Sequence, residues 1–150
     1  MNKNLYYYVE IFHDTIVEIK DFLSDEFKNF PAGACGSTSV LLGTYLRECG
    51  FGKFKYVCGE KYFWNGLFNQ EYSHAWLETD DSLVIDITAY QFPEIGKKIV
   101  IQKKNPWYKQ WTIKETVEDI NIDTYKNLID IANYEFILTK IKPKIKKGLQ

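Results

Sequence analysis

A cysteine, a histidine and an aspartate stand out in this chain for the residues around them. Cys35 lies in "FPAGACGSTSVLLGTYLRECG", Phe30 to Gly50, where small residues give way to a helical pattern. His74 lies in "YSHAWLET" and Asp86 in "SLVIDITA", two strand-like runs joined by Thr79-Asp80-Asp81-Ser82. A thiol, an imidazole and a carboxylate are the parts of nucleophilic acyl transfer: the thiolate attacks, the imidazole carries the proton, and the carboxylate orients the imidazole. A helix N-terminus suits the first role, because its unpaired N–H groups and its dipole favour a thiolate. Gly33, Ala34, Gly36 and Ser37 leave room for a substrate, and the Gly36 amide at that terminus is a candidate oxyanion donor. Each residue also has a plainer role. Cys35 can fill a tight corner, His74 can be a hydrogen-bonded strand residue, and Asp86 can be half-exposed.

The two strands choose between these roles through their register. Side chains alternate along a strand, so Tyr72, His74, Trp76 and Glu78 share one face and Ser73, Ala75 and Leu77 the other. Leu83, Ile85 and Ile87 form an unbroken apolar face that should pack inward, with Leu77 and Ala75 beside it. A one-residue slip would turn a whole strand over. The expected pairing sets Leu77 opposite Leu83, Ala75 opposite Ile85 and His74 opposite Asp86, within hydrogen-bonding reach. It requires a connection of odd length, three or five residues. A two-residue turn at Asp80-Asp81 would put His74 and Asp86 on opposite faces.

The elements that must hold these residues follow from periodicity. Val9, Phe12, Ile16, Ile19 and Leu23 recur at helical spacing and predict a helix over Leu5 to Phe27, ended by Pro31 and Gly33. A second helix is expected from Cys35 to Cys49. Val40, Leu41, Leu42, Tyr45 and Leu46 make it apolar on much of its circumference, and Gly50 stops it. The pattern then becomes β, with strands in "KFKYVCGEKYFW", "YSHAWLET", "SLVIDITA" and "KKIVIQK". "NPWYKQW", Asn105 to Trp111, is expected as an aromatic loop. A last helix is expected from Asp123 to Lys142, with Pro143 near its end. Helices, an antiparallel meander and a helix make an α+β fold, with a central helix carrying Cys35 packed on the sheet.

At 150 residues the chain is expected to be one domain, with 45% apolar and 26% charged residues, an ordinary globular balance. The aromatic share of 17% exceeds what such a core needs, so some rings can line a groove: Trp64, Trp107, Tyr108 and Trp111 are the candidates, with core or surface packing their commoner fate, and Trp76, two residues after His74, is a further substrate candidate. A net charge of -1 gives no case for a nucleic-acid partner. The basic "KIKPKIKK", Lys140 to Lys147, is expected as a solvated helix end rather than a phosphate-binding tail. Three cysteines, an odd number, do not make a disulfide framework and point to a reducing compartment. No signal-peptide pattern and no membrane-spanning run occurs, so the expected location is cytoplasmic; a leaderless secreted protein would look the same. Cys49, at a helix end, and Cys58, within a strand, are expected to pack, and His13 to be structural or exposed. No metal is expected, since there is no closely spaced cysteine pair and only two histidines. No cofactor is expected either: the chain has no dinucleotide or P-loop glycine motif and nothing that suggests a coenzyme A site.

A cysteine at a helix start, then "HAW" on one strand and "VIDIT" on the next, resembles the transglutaminase-like superfamily of papain-fold cysteine enzymes. The resemblance covers roughly Phe30 to Phe92 and implies Cys35 as nucleophile, His74 as base and Asp86 as orienter. "GACGS", Gly33 to Ser37, is also similar to the nucleophile segment of papain-type proteases. There a glutamine six residues upstream of the cysteine helps form the oxyanion hole. Here that offset falls on Asn29, a shorter amide, and Gln91 is a second candidate donor. The interval from Cys35 to His74 is much too short for papain proper and suits a compact transglutaminase-like core.

The function expected is cysteine-dependent acyl transfer on an amide or ester through a Cys35 thioester, resolved by water or an amine. The superfamily holds peptidases, amidases, deamidases and crosslinking acyltransferases, so the partner expected is a peptide, protein or small amide, with no nucleic acid or membrane. The alternatives are a non-catalytic binding module or pseudoenzyme on the same fold, and a structural subunit that uses Leu128, Ile131 and Tyr134 as an apolar stripe.

Overall fold

The computed structural model describes residues 4–125 and 127–148. Helix α1 spans Leu5–Ile19 and begins at Asn4, whose side chain accepts the Tyr7 N–H. Its inner stripe of Val9, Phe12, Ile16 and Ile19 is buried. The helix stops eight residues before the expected Phe27. Lys20–Phe22 and Asp25–Phe27 are 3-10 turns. Between them the Ser24 N–H donates to Asn133 Oδ1, and Asn133 Nδ2 donates back to Ser24 Oγ, so a tertiary contact replaces the next helical turn.

Helix α2 spans Cys35–Glu48, as expected, with Cys49 as its C-terminal cap. Val40, Leu41, Leu42, Tyr45 and Leu46 are all buried, and each such side chain contributes roughly 1.5–3 kcal/mol of transfer free energy. The helix is therefore central, packed between the sheet on one side and α1 on the other.

The sheet has five strands, β1 (Lys55–Trp64), β2 (Asn69–Glu78), β3 (Leu83–Asp86), β4 (Val100–Lys103) and β5 (Thr112–Val117), in the order β4-β3-β2-β1-β5. All four pairings are antiparallel. The meander β1 to β4 was expected; β5, which returns to the free edge of β1, was not. Its residues are mostly exposed, so its alternation carries little apolar signal. The expected aromatic loop contains a short helix, α3 (Pro106–Lys109). Asn105 caps it by accepting the Tyr108 N–H, and Pro106 supplies the first helical position.

Helix α4 spans Leu128–Gly148 and begins five residues later than expected. The N–H groups of Asp123 and Thr124 are held by Asn121 Oδ1, which winds that segment into a turn, and Asn127 Oδ1 then caps Ile129 and Asp130. Pro143 lies inside the helix rather than at its end. Tyr134, Ile137 and Ile141 enter the core, while Leu128 is 84% exposed and Ile131 half-buried, so the three residues of the structural-subunit alternative do not form one exposed stripe. Within the basic segment, Lys144 pairs with Glu18 and bonds Thr15 on α1.

Both faces of the sheet are covered. Ala75, Leu77, Ile85 and Ile87 face α2, as expected, and join the main core. The opposite face carries a second, aromatic core of Val57, Trp76, Val84, Phe92, Tyr108 and Trp111. The β1–β2 hairpin projects beyond it. Past Glu60, β1 has no partner on the β5 side, and Tyr62, Trp64, Leu67 and Phe68 are exposed there.

One close approach ties α2 to the rest. A Cβ on Gly43 would lie 2.6 Å from Ile120 Cγ2 and 3.4 Å from the Ile120 carbonyl oxygen. Ile120 is fully buried and cannot yield. Gly43→Ala is expected to destabilise the fold by about 1–3 kcal/mol through overpacking, measured by urea denaturation.

Candidate active site

The β2–β3 hairpin differs from the expected register by one residue on each strand. Leu77 pairs with Ile85 rather than Leu83, and Glu78 pairs with Val84. The cause lies in the connection. The Thr79 N–H donates to the Leu83 carbonyl, so only Asp80, Asp81 and Ser82 lie between them, and Ser82 adopts φ 65° to close the loop. Three is one of the two odd lengths expected, so the faces are preserved although the pairing is shifted. Continuing the observed ladder sets Asp86 opposite Trp76 and diagonal to His74. The longer reach is spanned by the side chains: His74 Nε2 lies 2.7 Å from Asp86 Oδ2.

Both groups are buried, His74 completely and Asp86 to 2% exposure, which corrects the half-exposed alternative for Asp86. The carboxylate is saturated with donors. Oδ2 also accepts the Tyr108 hydroxyl at 3.0 Å. Oδ1 accepts the N–H groups of Thr88 and Ala89 and the Thr88 hydroxyl. Burial by itself would raise the Asp86 pKa; the His74 charge and hydrogen bond, the Thr88 N–H and the Tyr108 hydroxyl together hold it below the usual carboxylate range. Burial likewise acts to lower the His74 pKa, but Asp86, with a smaller contribution from Cys35, raises it to about 9.

Aromatic rings enclose the imidazole. Phe92, Trp76, Trp107 and Trp111 have centroids 5.2, 5.7, 5.8 and 5.8 Å from its own. They exclude water, which strengthens the His74–Asp86 pair, and their π faces favour a cation. Several of them pack in the core rather than along a groove. Trp76 is fully buried, its indole N–H donating to buried Glu78, which also pairs with Lys104. Tyr108 and Trp111 are buried as well.

Cys35 occupies the first position of α2 and is half-buried. Gly33 reaches it through φ +78°, a conformation few other residues adopt readily. Ala34 offers no side-chain cap, so the amides of the first turn keep no capping acceptor. The Cys35 thiol lies close enough to His74 to add to the rise in its pKa. Since Asp86 occupies Nε2, the side of the ring left for the thiol is Nδ1. Gln91 Nε2 approaches the same nitrogen at 3.4 Å and donates to the Thr88 carbonyl at 3.2 Å. In the neutral ring, a donor at Nδ1 favours the tautomer that carries its proton on Nε2, toward Asp86.

Cys35, His74, Asp86 and Gln91 are thus brought together, with the Gly36 amide next in the helix. Asn29 is exposed, and its side chain makes no hydrogen bond to these groups among the described residues. Trp64 is at the hairpin tip, 67% exposed, and does not border the site. Cys58 lies in β1, where burial raises its thiol pKa, and Cys49 caps α2. His13 is structural: buried, with Nε2 2.9 Å from the Tyr90 hydroxyl and Nδ1 2.9 Å from Asp14. Thr88 and Tyr108 were not expected as donors to Asp86; Tyr108 was a candidate only for a groove ring. Thr88 had a signal, an Asp-x-Thr spacing suited to an Asx-type turn. Tyr108 had none, since it arrives from α3.

The shifts of the pair set a pH window. His74 holds its proton more tightly folded than unfolded, so its contribution to stability is whole below its ordinary value and fades as pH rises toward about 9. Asp86, held low, contributes above its ordinary value and ceases to do so as pH falls through its depressed one. The urea midpoint is therefore expected to be higher near about pH 6 than near about pH 10, and Asp86→Asn to reduce this difference.

Comparison of the chain with family models, curated proteins and solved structures gives no match in any of the three.

Proposed function

We propose that the protein is a cysteine-dependent acyl-transfer enzyme acting on an amide or ester carbonyl, with a papain-like, transglutaminase-like core. The single observation that carries this reading is the buried His74–Asp86 hydrogen bond with the half-exposed Cys35 thiol beside the imidazole at the start of α2. A buried carboxylate with five donors is costly to build for packing alone.

In this reading the Cys35 proton passes to His74 Nδ1, and Sγ forms a bond to the substrate carbonyl carbon. The oxyanion is met by the amides of the first turn of α2, including Gly36. Its collapse breaks the bond to the leaving nitrogen or oxygen, which takes the proton from His74 and departs, leaving a thioester on Cys35. Water or an amine then attacks the thioester and gives a proton to His74. As the acyl group leaves, that proton returns to the cysteine sulfur. Asp86 stays ionised throughout, holding the ring and balancing its transient charge. Gln91 positions the imidazole from the Nδ1 side.

The test is site-resolved alkylation. Iodoacetamide is expected to modify Cys35 faster than Cys49 and Cys58, and His74→Ala to slow the Cys35 reaction by roughly tenfold to a hundredfold. Incubation with p-nitrophenyl acetate is expected to leave an acetyl group on Cys35 in the parent protein and not in His74→Ala. Equal, slow labelling of the three cysteines would overturn the proposal in favour of a non-catalytic module.

A further inference from the structure

At the start of α2, beside Cys35, a pocket of about 280 Å³ opens. Gly36 forms part of its wall, and so does Tyr56, whose phenol feels the Cys35 thiol. The rest of the lining is Gly33, Val40 and the polar or acidic side chains of Glu26, Ser37, Tyr125, Asn127 and Asp130. It adjoins a second hollow of about 630 Å³ that shares Glu26, Ser37 and Asn127 and adds Asp25. Among the described residues lining the two there are three carboxylates and no lysine or arginine.

Asp130, in the first turn of α4, is 3% exposed, and its Oδ1 is buried with no hydrogen-bond partner. The Ser37 hydroxyl donates to Glu26 Oε2 at 2.7 Å. Burial, and then the charge of Glu26, raise the Asp130 pKa, with Ser37 opposing them. Tyr56 and Tyr125, with centroids 6.1 Å apart, supply aromatic walls, which suit an organic cation better than a bare metal ion.

We infer that this pocket is a subsite for a cationic group of the substrate, an ammonium or guanidinium, held by Asp130 and Glu26 beside the tyrosine rings while the carbonyl lies at Cys35. The inference rests on the acyl-transfer reading for the word substrate; the pocket's preference for cations does not.

The probes are thiol reagents that differ in charge: cationic (2-trimethylammonioethyl) methanethiosulfonate, anionic (2-sulfonatoethyl) methanethiosulfonate and neutral methyl methanethiosulfonate, with adducts located by peptide mapping. The cation-to-anion rate ratio at Cys35 is expected to fall about fivefold to tenfold in Asp130→Asn and in Glu26→Gln, with the neutral rate unchanged. Glu26 is exposed, so its variant tests the charge without disturbing a buried position. A ratio unchanged in both variants overturns the subsite. If the ratio falls as expected while the neutral reagent modifies Cys35 no faster than Cys49 or Cys58, the cation site stands and the acyl-transfer reading is lost. Peptide esters carrying lysine or arginine, against norleucine, then separate ammonium from guanidinium.

Discussion

The structure turns on one buried ionic hydrogen bond, between His74 Nε2 and Asp86 Oδ2. Two ionisable groups taken out of water are expensive, and their attraction offsets the cost only if every remaining lone pair and proton is satisfied. Several features of the fold serve that condition. β3 ends at Asp86, so the chain can curl and return the amides of Thr88 and Ala89 to the carboxylate. α3 brings Tyr108 to the same oxygen from a distant part of the chain. The aromatic core on that face of the sheet keeps the pair dry. Taking away one partner would leave a buried charge uncompensated, which is far more damaging than never having had the pair.

The same arrangement explains why an antiparallel sheet of this size is covered on both faces. Its α2 side holds an aliphatic core that anchors the helix bearing Cys35. Its other side is filled by rings around the imidazole. Cys35 and His74 therefore belong to different layers and meet at the start of α2. The helix supplies a directed field and uncapped amides; the sheet supplies an immobile ring.

Much of this was legible in the sequence. The apolar face of Leu83, Ile85 and Ile87 required the odd-length connection, and with it a shared face for His74 and Asp86. The exact pairing was not legible, because Ser82 accepts a left-handed conformation that a serine does not announce, and the ladder slid by one residue on each strand. Trp76 illustrates a different limit. The strand's own pattern does not decide whether it borders a groove or packs; the covering of its face comes from Phe92 and α3, which lie outside that pattern. The early end of α1 was hidden for a similar reason, since Ser24 is drawn out of the helix by Asn133, more than a hundred residues away in the chain. Local periodicity reports what a segment can do alone, and these positions are decided by what arrives from elsewhere.

The complete enclosure of His74 has a kinetic meaning. Asp86 holds one ring nitrogen, and among the described residues the other is approached by Gln91 and the Cys35 thiol, so the buried imidazole meets the outside by way of Cys35. A proton lodged on that ring is sealed from buffer and from solvent exchange. It can leave only through the same narrow opening by which it came, at the mouth where Cys35 meets the outside.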